Sequence, residues 1–106
     1  MIDFINKKMK LMFVALLLYA PLSFAMPVLN SVVAGEVTIK QTPTETIIIQ
    51  HSQKAIINWD SLDIQANEKV EFIQPNSEAA TLNRTHNPVR ILGKLKANGK
   101  IIIVAN

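Results

Sequence analysis

The stretch Ala55-Ile56-Ile57-Asn58-Trp59-Asp60-Ser61-Leu62-Asp63-Ile64, with Val70-Glu71-Phe72-Ile73-Gln74-Pro75 after it, decides the fold class. Isoleucine and valine are already restricted at χ1, so they lose little in an extended chain. Gln74-Pro75-Asn76 then reads as a turn ending the second run. The same grammar recurs on both sides. Val37-Thr38-Ile39 and Thr46-Ile47-Ile48-Ile49 precede it, and Val89-Arg90-Ile91-Leu92 and Ile101-Ile102-Ile103-Val104 follow. Gly35, Pro43, Asn67, Asn87-Pro88 and Asn98-Gly99 supply turns between the runs. Short strands at about ten-residue spacing predict an all-β domain built as a sandwich, a barrel or a solenoid.

Helix has one candidate, residues 77–84, with Ser77 as a cap and Glu78-Ala79-Ala80 as helix formers. It is too short to stand alone. Residues 26–36 carry few charges and read as a first strand or a lead-in. No strict repeat is visible. Asn98-Gly99 either closes a hairpin or bends one coil into the next. The apolar runs 47–49, 56–57 and 101–103 do not alternate cleanly, as in strands buried on both faces. A solenoid coil buries only its inner face, so its outer isoleucines would need cover.

The N-terminus has a different character. Lys7-Lys8-Met9-Lys10 is a positive segment, residues 11–19 are uncharged and apolar, and Pro21 breaks the run. Ser23 and Ala25 put small residues three and one positions before a cut. This is a secretory signal peptide over residues 1–25, cleaved between Ala25 and Met26. A membrane span would need about 20 apolar residues, and the run is roughly half that. Met9 is as good a start as Met1.

Of the 106 residues, 11 are Lys or Arg and 8 are Asp or Glu, for a formal charge of +3. Three of the lysines lie in the signal segment. Residues 26–106 hold eight basic and seven acidic side chains, a net +1, mostly interleaved. Only the stretch 90–100 is locally basic, so nucleic acid is not the expected partner. No cysteine is present, which excludes a disulfide framework, a thiolate metal site and a cysteine nucleophile. His51 and His86 lack carboxylates at metal-site spacing. Glu68 and Glu71 would fall on opposite faces of a strand, so they do not form an acid and base pair. With no phosphate loop, no Ser-His-Asp order and no zinc signature, no enzyme is expected and no cofactor is implied.

Four segments together resemble a known family: AIINWDSLDI at 55–64, EKVEFIQP at 68–75, ATLNR at 80–84 and ILGKLKANGK at 91–100. Their order and spacing are similar to the N-terminal secretion domain of filamentous-haemagglutinin-like exoproteins, the passengers of two-partner secretion in Gram-negative bacteria. Weaker similarity reaches back to about Gly35. The resemblance implies a right-handed parallel β-helix and Sec-dependent export to the periplasm. It also implies recognition by a dedicated outer-membrane transporter, with the product secreted or on the cell surface. Passengers of the family are adhesins, haemolysins or contact-dependent toxins. The chain departs from the pattern at Thr85, where valine is usual, and at Asn106, where the family continues into an Asn-Pro-Asn-Gly motif and further coils. Residues 26–106 are therefore expected to be the front part of such a domain, a partial solenoid. Its last strand, 101–104, is expected to be uncapped and prone to self-association.

The candidate transporter contacts are Asn58, Gln74, Pro75, Asn83 and Arg84. Each has a structural alternative. Asn58 suits a turn or an inward polar ladder, and Gln74-Pro75-Asn76 a plain turn. Arg84 suits a surface pair with Glu78 or Asp63. Trp59 is expected in the core beside Ile57 and Leu62 rather than as a sugar-stacking platform. Two further readings of the whole chain stand beside the secretion module. One is a non-functional remnant of a larger exoprotein. The other is a small independent envelope or adhesive protein. A carbohydrate-active β-helix enzyme would need paired acids on one sheet face, and none is found.

Overall fold

The computed structural model describes residues 26–106. The signal peptide and its Ala25–Met26 junction therefore lie at or outside the edge of the described residues. The described chain is all-β, with eight strands and no helix. They are β1 (Val28–Ala34), β2 (Val37–Gln41), β3 (Glu45–Gln50), β4 (Lys54–Ser61), β5 (Lys69–Ile73), β6 (Ala80–Thr85), β7 (Lys94–Ala97) and β8 (Lys100–Ala105).

From β3 onward the chain alternates between two sheets. Sheet A has the order β1-β4-β6-β8 and sheet B the order β2-β3-β5-β7. Within each sheet the strands β3 to β8 pair in parallel. Each rung is one strand of sheet B followed by one of sheet A: β3–β4, β5–β6, β7–β8. Only β1 and β2 run antiparallel, on β4 and β3 respectively. The longer loops after β4 and β6 meet at a single parallel bridge, Ile64 to Ile91. There the Ile64 N–H donates to Arg90 O at 2.9 Å and the Leu92 N–H to Ile64 O at 2.8 Å.

Alternation explains which residues fill the space between the sheets. Ile48 on β3, Ile57 and Trp59 on β4, and Val70 and Phe72 on β5 point inward and form the core with Leu62 and Ile64. Each such side chain contributes about 1.5–3 kcal/mol by leaving water. On β6 the inward positions are Thr81, Asn83 and Thr85, all buried. The core therefore changes from apolar to polar within one sheet. On β8, Ile101 and Ile103 pack against the cluster from half-buried positions.

Three expectations change. Residues 77–84 do not form a helical turn: after a turn, residues 80–85 are β6. Period-two burial of Thr81, Asn83 and Thr85, and pairing on both edges, outweigh the helix propensity of two alanines. Val89-Arg90-Ile91-Leu92 is not a strand, because Pro88 and Gly93 bound it and it pairs only at Ile91. Lys94–Ala97, with two lysines, is a strand. Residues 28–34 form β1, settling the alternative left open by the sequence. The outer isoleucines divide: Ile47, Ile49 and Ile56 are half-buried, whereas Ile73 and Ile102 are exposed. Asn98-Gly99 links β7 in sheet B to β8 in sheet A, so it bends one rung into its second strand and closes no hairpin.

Candidate functional site

Two places collect the residues singled out by sequence: a polar corner inside the rungs and the outer face of sheet A. The inner corner is built around Gln74, which follows β5 and is 4% exposed. Its Oε1 accepts the Gly99 N–H at 2.7 Å, and its Nε2 lies within reach of Lys100 O at 3.0 Å and Gln50 Oε1 at 3.2 Å. Its backbone N–H donates to Asn98 Oδ1 at 2.6 Å, while Asn98 Nδ2 donates to Gln74 O at 2.8 Å. The Asn98 side chain thus completes the ladder as a backbone group would. Thr81 Oγ1 donates to Gln50 Oε1, and Gln50 Nε2 donates to Ser52 O at 2.8 Å. A Cβ on Gly99 would sit 2.6 Å from Gln74 Oε1 and 2.8 Å from Ala79 O, so this packing requires glycine.

Asn83 lies fully buried between the sheets, where its Oδ1 accepts the Trp59 indole N–H at 2.9 Å. A buried indole needs such an acceptor. Asn83 and Gln74 are therefore occupied internally and present no side chain to a partner. Trp59, 3% exposed, is a core residue beside Ile57 and Leu62. Pro75 stands exposed at the turn after Gln74. Glu68 is buried, its Oε1 accepting the Gln65 N–H at 2.8 Å, and Glu71 pairs with Lys69 at 3.1 Å. The Lys69 ammonium is held above its ordinary value of 10.5, first by its hydrogen bond to Glu71 and then by the charges of Glu71 and Glu45. His51 Nε2 shares a 2.8 Å hydrogen bond with Thr38 Oγ1, far from His86 in the sequence. Among the described residues no three His, Cys, Asp or Glu side chains cluster as metal ligands.

The outer face of sheet A holds the other two candidates together. Because Ile57 and Trp59 point inward, Asn58 points outward, against the expectation of an inward ladder. Asn58 is in register with Arg84, and Arg84 with Val104. Arg84 Nε donates to Asn58 Oδ1 at 2.9 Å. The expected partners of Arg84 are engaged elsewhere: Glu78 pairs with Lys100 at 3.2 Å, and Asp63 accepts the Arg90 N–H. Asn58 and Arg84 line a 330 Å³ cleft with Asn30, Asp60 and His86. Asn30 Nδ2 donates to Asp60 Oδ1 at 2.8 Å within this lining. Beside it runs an apolar row, Ile56–Leu82–Ile102, in register across three strands.

Sequence reasoning passed over Gln50 and Thr81. The available signal was spacing: Gln50, Gln74 and Asn98 are each 24 residues apart, one per rung of sheet B.

No family model matches the chain. Among solved structures, the secretion domain of HMW1 from Haemophilus influenzae superposes with a TM-score of 0.67 at 33% identity, over 73% of this chain and 21% of that one. The chain is a relative of two-partner secretion domains. It is also 43% identical over 77 residues to a heme/hemopexin-binding protein of Haemophilus influenzae. A second Haemophilus influenzae protein of the same name is 38% identical over 76 residues. The chain spans 8% of the length of each of these two relatives, and each match covers 70% of this chain.

Proposed function

We propose that residues 26–106 act as an exported secretion and targeting module, recognised by an outer-membrane transporter of the two-partner type. Likeness to a secretion domain at 33% identity carries this reading. The module works by protein recognition and performs no catalysis. It reaches the surface or the medium through the periplasm, after Sec export and removal of residues 1–25. The rungs are read as the front of a right-handed parallel β-helix. In support, β4 and β6 are parallel neighbours joined through the opposite sheet, and such crossovers are right-handed in nearly all proteins. Among the described residues β8 has no neighbour on its outer edge, and a further strand would add there, from the same polypeptide or from a second copy.

The test is secretion itself. Cells producing the chain with its transporter should release it, and deleting the transporter should leave it in the periplasm. Release that is indifferent to the transporter refutes the proposal. Mass spectrometry of the exported form should find Met26 as its first residue, and an intact N-terminus refutes the signal-peptide reading.

A further inference from the structure

The cleft on sheet A has a feature that the fold does not need. Arg84 is fixed by Asn58, an uncharged partner, through Nε alone. The two terminal guanidinium nitrogens are left for another group, in the geometry that takes a carboxylate in two-pronged fashion. Among the described residues no carboxylate forms an ion pair with Arg84, whereas Lys69 pairs with two and Lys100 with one. Ordering a long side chain costs rotamer entropy, which a single exposed hydrogen bond does not offset well. The neighbouring acid, Asp60, lines the same cleft and accepts the Asn30 amide through Oδ1, without an ion pair to Arg84. Asp60 also places a negative charge in the cleft, which disfavours a doubly charged phosphate over a singly charged carboxylate.

The surroundings define the rest of the ligand. Val104 lies in register with Arg84, and Ile102 with Leu82. Ile102 is 51% exposed and Val104 40%. An apolar strip beside a fixed cation matches an extended peptide with apolar residues on one face and an acid among them.

We infer that this face docks an extended segment of the transporter, with an Asp or Glu carboxylate on Arg84 and apolar side chains on Leu82, Ile102 and Val104. The inference rests on the secretion-module reading and names the chemistry of its partner.

The experiment compares secreted and periplasmic amounts of the full chain in cells with and without its transporter. Arg84→Glu should lower the secreted fraction by about tenfold, the size expected for losing one good interfacial charge contact. Arg84→Gln should also fall. Arg84→Lys should lie between, because an ammonium keeps the charge and loses the fork. Lys96→Glu, an equal charge change on exposed β7 of the other sheet, should secrete like the parent. Unfolding midpoints of the Arg84 variants should match the parent, since the residue is exposed. Parental secretion of Arg84→Glu or Arg84→Gln, with transporter deletion still abolishing release, overturns the docking site and spares the secretion module. Release that survives transporter deletion removes both.

Discussion

Replacing Gln74 with methionine keeps side-chain length and removes both polar atoms of that side chain from the inner corner. The Gln74 amide nitrogen has two hydrogens and faces four acceptors: Lys100 O at 3.0 Å, Gln50 Oε1 and Thr81 Oγ1 at 3.2 Å, and Ala79 O at 3.3 Å. Two of these bonds are made at a time, and the Gly99 N–H to Oε1 is the third. At about 1 kcal/mol net for each bond, the change should cost about 3 kcal/mol. The Gly99 amide is only half-buried, so water relieves part of its desolvation penalty. A small domain is stable by about 5–15 kcal/mol, so this loss is large. Urea unfolding followed by Trp59 fluorescence measures it, because Trp59 is the single tryptophan and is 3% exposed. The midpoint should fall by about 1–3 M at an unchanged slope. Gln53→Met is the control. Its amide exchanges hydrogen bonds with Asn76 at the surface, and its removal should cost no more than about 0.5 kcal/mol. Equal midpoints for the two variants would refute the view that Gln74 holds successive rungs together.

Three further outcomes are expected. Trp59→Ala empties the centre of the core and strands Asn83, and should destabilise by about 3–5 kcal/mol in urea unfolding followed by far-UV circular dichroism, since the variant has no tryptophan; a neutral result would contradict its burial. Gly93→Ala drives a methyl into the Gln65 and Glu68 carbonyl oxygens, so the loops that meet at Ile64 and Ile91 must shift; an unchanged melting temperature would deny that close approach. Lys69 titrates above its ordinary 10.5 because Glu71, then Glu45, favour its charged form. Its contribution is present below pH 10.5 and lost as pH rises through the raised folded value. Lys69→Met should therefore remove part of the alkaline loss of stability, and parental pH dependence above 10.5 would argue against the Glu45–Lys69–Glu71 contacts.

The strands readable in the sequence are those whose inward positions are apolar. Ile48, Ile57 and Phe72 announce β3, β4 and β5 because each sits in a β-branched or aromatic run. Strand β6 was not readable, since Thr81, Asn83 and Thr85 look like surface residues until a second rung covers them. Strand β7 was hidden for a related reason: Lys94 and Lys96 face outward, and only Leu95 packs inward. The outer site was half legible. Asn58 and Arg84 were named from the resemblance, and the parallel register of β4 on β6 is what places them side by side. No local pattern carries that register. The same blindness put Gln74 and Asn83 among the candidate contacts, because burial of these amides depends on partners 24 to 26 residues away, Trp59 for Asn83 and Gln50 and Lys100 for Gln74.

Register is the problem that such a chain must solve without a strict repeat. A parallel strand can slip by two residues and keep every inward side chain inward, so the hydrophobic pattern alone does not forbid it. A two-residue slip moves each side chain by about 6.6 Å along the strand. In sheet B that carries Gln74 away from Gln50, Gly99 and Lys100, and in sheet A it carries Asn83 away from the Trp59 indole. Each orphaned buried group then costs about 1–3 kcal/mol, whereas the apolar contacts are largely exchanged for others. Each sheet holds one such fixing point, Gln74 at the end of β5 and Asn83 within β6, and β5 and β6 are consecutive strands of the same rung. Pinning that middle rung fixes both neighbours, because β3 and β7 flank β5 while β4 and β8 flank β6. The outer face inherits the result: Asn58, Arg84 and Val104 line up only in the register that the buried amides select.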